Sequence, residues 1–229
     1  MTSKWIKAGT GALALMFTPL AAQGADIPRP YYKGPQRSVV AYYNWSGLYA
    51  GVNAGYGWGS SAWTSPVVSN SPKGMLVGAT LGYNMQAGSF VYGLEGDIGW
   101  ATLKGDTACG AGGACETKNN WLGTARGRIG YAFDRYLPYF TGGAAFGDIK
   151  ATNTNAGRGT ASATKTGWTV GGGLEYAFMG NLTAKVEYLY VNLGSFDCGT
   201  ACSATPPANV SLKENIFRVG LNYKFGGGY

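Results

Sequence analysis

The chain closes on a row of alternating side chains. Phe217, Val219, Leu221, Tyr223 and Phe225 are aromatic or apolar, with Arg218, Gly220, Asn222 and Lys224 between them. Successive side chains of a β-strand point to opposite faces, so this segment has one apolar and one polar face. The pattern recurs along most of the 229 residues. No apolar run approaches the ~18 residues that a spanning helix requires. Charged residues make up only 13% of the chain, which suits a membrane protein. Mean hydropathy is nevertheless −0.06, because apolar residues are diluted by polar ones. In lipid every backbone group must be satisfied internally, and without helices only a closed barrel does this.

The N-terminus carries an export signal. Lys4 and Lys7 precede an apolar stretch from Ala8 to Leu20, and Ala22-Gln23-Gly24 places small residues at a cleavage site. Residues 1–24 therefore read as a signal peptide, with cleavage before Ala25. The stretch is too short for a membrane anchor. Residues 25–45 contain Pro28, Pro30 and Pro35 with Arg29, Lys33 and Arg37, and show no periodicity. They read as an extended, mobile segment on the periplasmic side. The barrel is expected over 46–225, with 226–229 as a periplasmic tail.

Seven further segments alternate before the last. The apolar rows are Leu48 to Trp58, Met75 to Met85, Phe90 to Trp100, Trp121 to Phe133, Trp168 to Phe178 and Leu182 to Tyr190. The segment 137–147 has apolar residues on both faces, Tyr139 on one and Phe140 and Phe146 on the other, so its facing stays open. Connections near 87–89, 134–136 and 180–181 are short, whereas 60–73, 104–118, 148–166 and 192–213 read as long loops. Short periplasmic turns, long extracellular loops and an even strand number are the habit of outer-membrane barrels. The expected fold is all-β: an eight-stranded antiparallel up-and-down transmembrane β-barrel with both termini periplasmic.

Alternation alone does not say which face is outside, since a soluble barrel holds its apolar face inward. The aromatics cluster near the strand ends, as interfacial girdles do, and the polar face is rich in glycine and carries charges. Both favour an apolar face toward lipid. The interior then collects Glu95, Asp97, Arg126, Arg128, Glu175, Lys185, Glu187 and Arg218, four acids against four bases. Buried charges need partners. Eight-stranded barrels have interiors just filled by side chains. A crossed charge network is therefore expected rather than an ion path.

Four cysteines lie in the long connections: Cys109, Cys115, Cys198 and Cys202. The export route is oxidising, and three connectivities exist. The local pairs, Cys109 with Cys115 and Cys198 with Cys202, require the least chain closure. Their spacing is poor for a zinc site, and the chain has no histidine. No metal or cofactor is expected. There is no nucleophile elbow, Walker loop or dinucleotide fingerprint, so no catalytic residues are assigned and the chain does not read as an enzyme. The formal charge is +7, falling to +5 without Lys4 and Lys7. No basic residues cluster along the sequence as nucleic-acid binding would need.

Four segments carry a family resemblance. Residues 43–59 (YNWSGLYAGVNAGYGWG) resemble the first strand of alphaproteobacterial outer-membrane immunogenic proteins, small opacity-like barrels of the porin family. Residues 121–131 (WLGTARGRIGY) resemble their fourth strand, 184–190 (AKVEYLY) their seventh and 218–225 (RVGLNYKF) their last. The resemblance implies an abundant, surface-exposed outer-membrane barrel and carries over no catalytic residue. The partners expected from the lipid-facing rows and the terminal strand are outer-membrane lipid and the barrel-assembly machinery, with an extracellular ligand of the loops as a further candidate. The expected role is structural and surface-displaying, with a narrow diffusion channel or a loop-mediated adhesin as alternatives. The Ser-, Thr-, Asn- and Gly-rich loops name no ligand.

Overall fold

The computed structural model describes residues 42–109, 112–155, 157, 159–202 and 207–226. Residues 1–41, which include the expected signal peptide, and residues 227–229 of the expected tail lie outside the described residues. Nine strands are present among those described: β1 (Gly47–Thr64), β2 (Val67–Asn70), β3 (Lys73–Ala87), β4 (Phe90–Ala108), β5 (Ala114–Tyr131), β6 (Tyr136–Asn153), β7 (Thr160–Met179), β8 (Leu182–Asp197) and β9 (Asn209–Phe225). All adjacent pairs are antiparallel. β9 pairs back onto β1 from Leu48↔Phe225 to Trp63↔Val210, so eight long strands close a barrel. β2 is a short hairpin return on the upper part of β1.

At one end the hairpins are tight. Gly88 (φ +62°) and Ser89 turn β3 into β4, and Gly180-Asn181 turn β7 into β8. Asp134, also left-handed (φ +53°), serves the β5–β6 turn. We call this the turn end and the opposite one the loop end.

The outer face is apolar over one band. Val52, Met75, Leu94, Ile98, Val186, Val219 and Leu221 are exposed there. Aromatic side chains edge the band on both sides. Toward the turns, Phe90–Tyr131, Tyr131–Phe133, Tyr136–Tyr176 and Tyr223–Phe225 have ring centroids 4.7–5.3 Å apart. Toward the loops lie Trp58 with Tyr188, Trp168 with Tyr190, and the directly opposed pair Trp100↔Trp121. Each strand crosses the band in about 9–11 residues, the length that tilted crossing requires. Leu94 is 73% exposed within it. Leu94→Arg is expected to cost ~2–4 kcal/mol if it lies near the bilayer midplane. Urea unfolding and the heat-modifiable gel band measure this, and an unchanged midpoint would remove Leu94 from lipid.

The strands do not stop at the upper belt. The eight long ones run 15 to 20 residues. Most of what reads as long loop is therefore strand, and the four loop-end connections retain only 65–72 (with β2 inside it), 109–113, 154–159 and 198–208. The reason is a reversal of the alternation at the belt. On β9 the outer row is apolar from Phe225 to Phe217, then becomes Asn215, Lys213, Ser211 and Asn209. The inner row changes from Asn222, Gly220 and Arg218 to Ile216, Glu214, Leu212 and Val210. On β4, Trp100 is followed on the outside by Thr102, Lys104 and Asp106, while Ala101 and Leu103 turn inward. Below the belt the chain is a membrane barrel. Above it the same sheet has a water-facing exterior and its own apolar core.

β6 resolves the open facing. Leu137, Tyr139 and Thr141 point inward, and Phe140 lies outside at 76% exposure.

Candidate functional site

The barrel interior is filled in three layers. The lowest closes the turn end. Tyr43 and Trp45 are buried against Val91, Leu137 and Ala177. The Trp45 Nε1 donates to the Asp134 carbonyl at 3.0 Å, its backbone N–H to Gln86 Oε1 at 2.7 Å, and the Tyr43 N–H to Asp134 Oδ1 at 3.1 Å. The Lys224 ammonium donates to the Asn44 carbonyl and sits 4.6 Å from the Tyr43 ring centroid. The expectation of an extended segment through residue 45 therefore needs correcting for its last residues. Two aromatic side chains gain more from this pocket than from water, and left-handed Asp134 presents both acceptors that orient them.

The middle layer holds Glu95, Asp97, Arg126, Arg128, Glu175, Lys185, Glu187 and Arg218, whose side chains are at most 8% exposed. Two of the contacts follow directly from register, since Glu95↔Arg126 and Glu187↔Arg218 are opposed pairs; Glu175 and Lys185 are also opposed, but the Lys185 ammonium turns to Glu95 instead. Arg126 is the hub. It contacts Glu95, Asp97 Oδ2 at 2.6 Å and, across the lumen, Glu187 Oε1 at 3.1 Å. Arg128 reaches Glu175 Oε2 at 2.7 Å, Lys185 reaches Glu95 Oε2 at 2.9 Å, and Arg218 reaches Glu187 Oε2 at 2.5 Å and Asp97 Oδ1 at 3.1 Å.

Neutral groups from the other strands complete the layer. The Tyr49 hydroxyl donates to Glu95 Oε2 at 2.8 Å and that of Tyr139 to Glu187 Oε1 at 2.9 Å. Thr80 and Thr124 donate to Asp97, and Thr183 and Asn222 to Glu175. The Arg128 guanidinium stacks 4.1 Å from the Tyr139 ring centroid. All eight long strands thus contribute to one polar cluster. Reading the sequence for charge misses the two tyrosines. Their signal is the glycine on each neighbouring strand: a Cβ at Gly82 would collide with the Tyr49 ring, and one at Gly173 would crowd the Tyr139 hydroxyl. Beside Asp97, Thr124 and Arg218 an interior cavity of about 20 Å³ remains. That is room for a water molecule and little more.

The upper layer is the apolar core of the strand extensions. Leu103, Ile149, Leu189, Val191, Leu193, Leu212 and Ile216 are buried in it. Cys109–Cys115 and Cys198–Cys202 are disulfide-bonded at its rim, with Cα–Cα separations of 5.6 and 5.7 Å. Asp197 braces the second of these connections by accepting the N–H groups of Gly199 and Ala208. Those two bonds hold its carboxyl below the usual carboxylate range. Among the described residues, one fully buried charged side chain lies inside this core. Glu214 is fully buried, receives Asn119 Nδ2 on Oε1 at 3.0 Å, and has no partner on Oε2 among the described residues.

A closed barrel of eight long strands with an apolar, aromatic-edged exterior defines a bacterial outer-membrane β-barrel protein. The model of the outer membrane protein beta-barrel domain matches residues 10–225, and the chain belongs to that family. It is similar to the 31 kDa outer-membrane immunogenic protein of Brucella melitensis, with 34% identity over 93% of this chain and 97% of that protein. The 25 kDa outer-membrane immunogenic protein of the same organism is 37% identical over 87% and 85%. Among solved structures, Neisserial surface protein A has a TM-score of 0.50 at 16% identity, covering 79% of this chain and 98% of that one. The outer membrane protease OmpT from Escherichia coli reaches 0.52 at 8% identity, covering 78% and 97%. At such identities the two structures share the fold alone.

Proposed function

We propose that this protein is a structural, surface-displayed barrel that passes no solute. In this reading the turn end and both termini face the periplasm, and the strand extensions raise the four connections above the outer leaflet. The observation that carries it is the filled lumen. The Tyr43–Trp45 plug, the eight-charge network and the loop-end apolar core lie in series along the axis, so a solute would have to break all three. Balanced, mutually paired charges hold strands together, whereas a selectivity ring presents one sign to the passing ion. The relatives' names support display, since both Brucella proteins are called immunogenic. The outer row from Phe217 to Phe225 fits a last strand read by the barrel-assembly machinery.

Planar-bilayer recording of the purified barrel tests the closed lumen. The expected record has no stable ohmic steps, and reproducible channels would overturn the reading. Deletion of the gene is expected to raise detergent sensitivity without loss of solute uptake.

A further inference from the structure

The strand register assembles a basic row that is dispersed in the sequence. Lys73 on β3 is directly opposite Lys104 on β4, Lys104 is opposite Lys118 on β5, and Lys118 is opposite Lys150 on β6. Four lysines therefore lie side by side across four strands, with neighbouring strands about 4.8 Å apart. All four point outward: Lys73, Lys104 and Lys150 are exposed and Lys118 is half-buried. Like charges directly opposed on a sheet destabilise it. Three such pairs in succession therefore call for an anionic partner.

The protein supplies little of that partner. Lys118 pairs with Glu116 at 2.6 Å, while Lys73, Lys104 and Lys150 make no ion pair among the described residues. Asp148, one step below Lys150, is occupied by the Asn120 and Trp121 N–H groups at 2.8 and 3.1 Å and by Asn120 Nδ2 at 2.7 Å. Asp106 opposes Glu116 one step above the row. Elsewhere around the barrel at this height, Ser162 follows Lys150 on β7, while Asn192 and Ser60 flank Lys213 on β9.

Position identifies the partner. Lys73 is paired with Trp58, and Lys104 and Lys118 lie within four residues of Trp100 and Trp121. The row thus sits just beyond the aromatic belt, at the height where lipid headgroups begin. We propose that the lysine row binds the phosphate groups of a phosphorylated glycolipid headgroup packed against β3–β6. Placing that lipid in the outer leaflet rests on the outward orientation proposed above; the binding itself does not.

The test uses the refolded full-length mature chain in neutral detergent and native mass spectrometry. Bisphosphorylated lipid A is the probe, with its dephosphorylated form, inorganic phosphate and heparin as comparisons. Lipid A is expected to bind at least tenfold more tightly than the dephosphorylated form. The double variant Lys104→Gln/Lys118→Gln is expected to lose at least tenfold, while Lys213→Gln stays within twofold of the parent. Without lipid the double variant should melt no lower than the parent, because opposed like charges are gone; Lys73→Gln/Lys150→Gln repeats the test should it misfold. Equal binding of the phosphate-free lipid, or unchanged binding in both double variants, overturns the proposal. Full displacement by inorganic phosphate reduces the row to an ion site, and tighter binding of heparin reassigns it to a soluble polyanion; either result also overturns it. Cell-surface labelling of the loop end reads orientation separately, so failure of display and failure of binding are distinguishable.

Discussion

Arg126→Met is expected to destabilise the folded barrel by about 3–5 kcal/mol, the cost of leaving buried carboxylates without their cation. Arg126 contacts Glu95, Asp97 and Glu187, and its side chain is fully buried. Without it, four acids face three cations in a lumen whose cavity here, about 20 Å³, holds little more than one water molecule. Methionine fills part of the volume, so the loss reports charge rather than a void. Arg126→Lys should recover less than half, because one ammonium cannot span carboxylates on β4 and β8 as a planar guanidinium does. Adding Glu95→Gln to Arg126→Met should restore part of the loss, since it removes one stranded charge; that coupling is what a double-mutant cycle isolates. Urea unfolding in micelles measures all three variants. A loss below ~1 kcal/mol for Arg126→Met, the level of an exposed pair, would mean that the cluster does not hold the barrel together.

How much of this is legible in the chain depends on which half of each strand is read. Below the upper belt, parity is sufficient. Leu94 and Glu95 must face opposite ways, and the aromatic ends of the row from Phe90 to Trp100 mark its height. That reasoning reaches the apolar exterior and the inward charges, but not their partners across the lumen. Arg126 and Glu187 lie on strands that are far apart around the barrel and meet only because it is narrow. Above the belt, parity misleads. Once the outer row becomes Thr102, Lys104 and Asp106, the composition is that of a loop, and the buried partners Leu103, Leu212 and Val210 look like scattered apolar residues. What keeps these segments in strands is the core they build together, which no single segment contains. β6 is ambiguous in sequence because Tyr139 is aromatic yet inward; its hydroxyl serves Glu187, a reason that lies on another strand. The lysine row is the extreme case. Its alignment depends on bulges between Trp100 and Leu103 and between Lys118 and Leu122, which shift the register just below it. Tyr43 and Trp45 are hidden for a different reason: they follow a proline-rich stretch, and their pocket is made by the β5–β6 turn.

Glu214→Gln is expected to stabilise the protein at pH 8 and to leave it unchanged near pH 4.5. Glu214 lies above the aromatic belt, opposite Gly59 and Val191, so it is outside the lipid-crossing part of β9. Burial in the apolar upper core, with Asp148 adding a smaller push and Asn119 opposing it, raises its carboxyl from 4.5 to about 7. The folded state therefore holds this proton over a range in which the unfolded chain has lost it. Between those two values the native protein binds more protons than the unfolded one, so stability falls as pH rises. The decline begins near pH 4.5 and levels off above about 7, where both states are ionised. Its full size is about 3 kcal/mol, because each tenfold change in proton affinity is worth about 1.4 kcal/mol. Glutamine keeps the shape and can still accept from Asn119, but it has no charge to desolvate. Its stability should lack this decline with pH. Urea midpoints of parent and variant from pH 4.5 to 8.5 provide the measurement, and curves that remain parallel would show that Glu214 finds a compensating partner when ionised. The prediction also separates the layers. Arg126 variants should weaken the barrel at every pH in this range, because their defect is a missing cation, whereas the Glu214 effect should appear only as its proton leaves. An Arg126→Met loss that varied with pH in step with Glu214 would mean that the two layers unfold as one electrostatic unit rather than as a membrane barrel carrying a separately packed, water-facing extension.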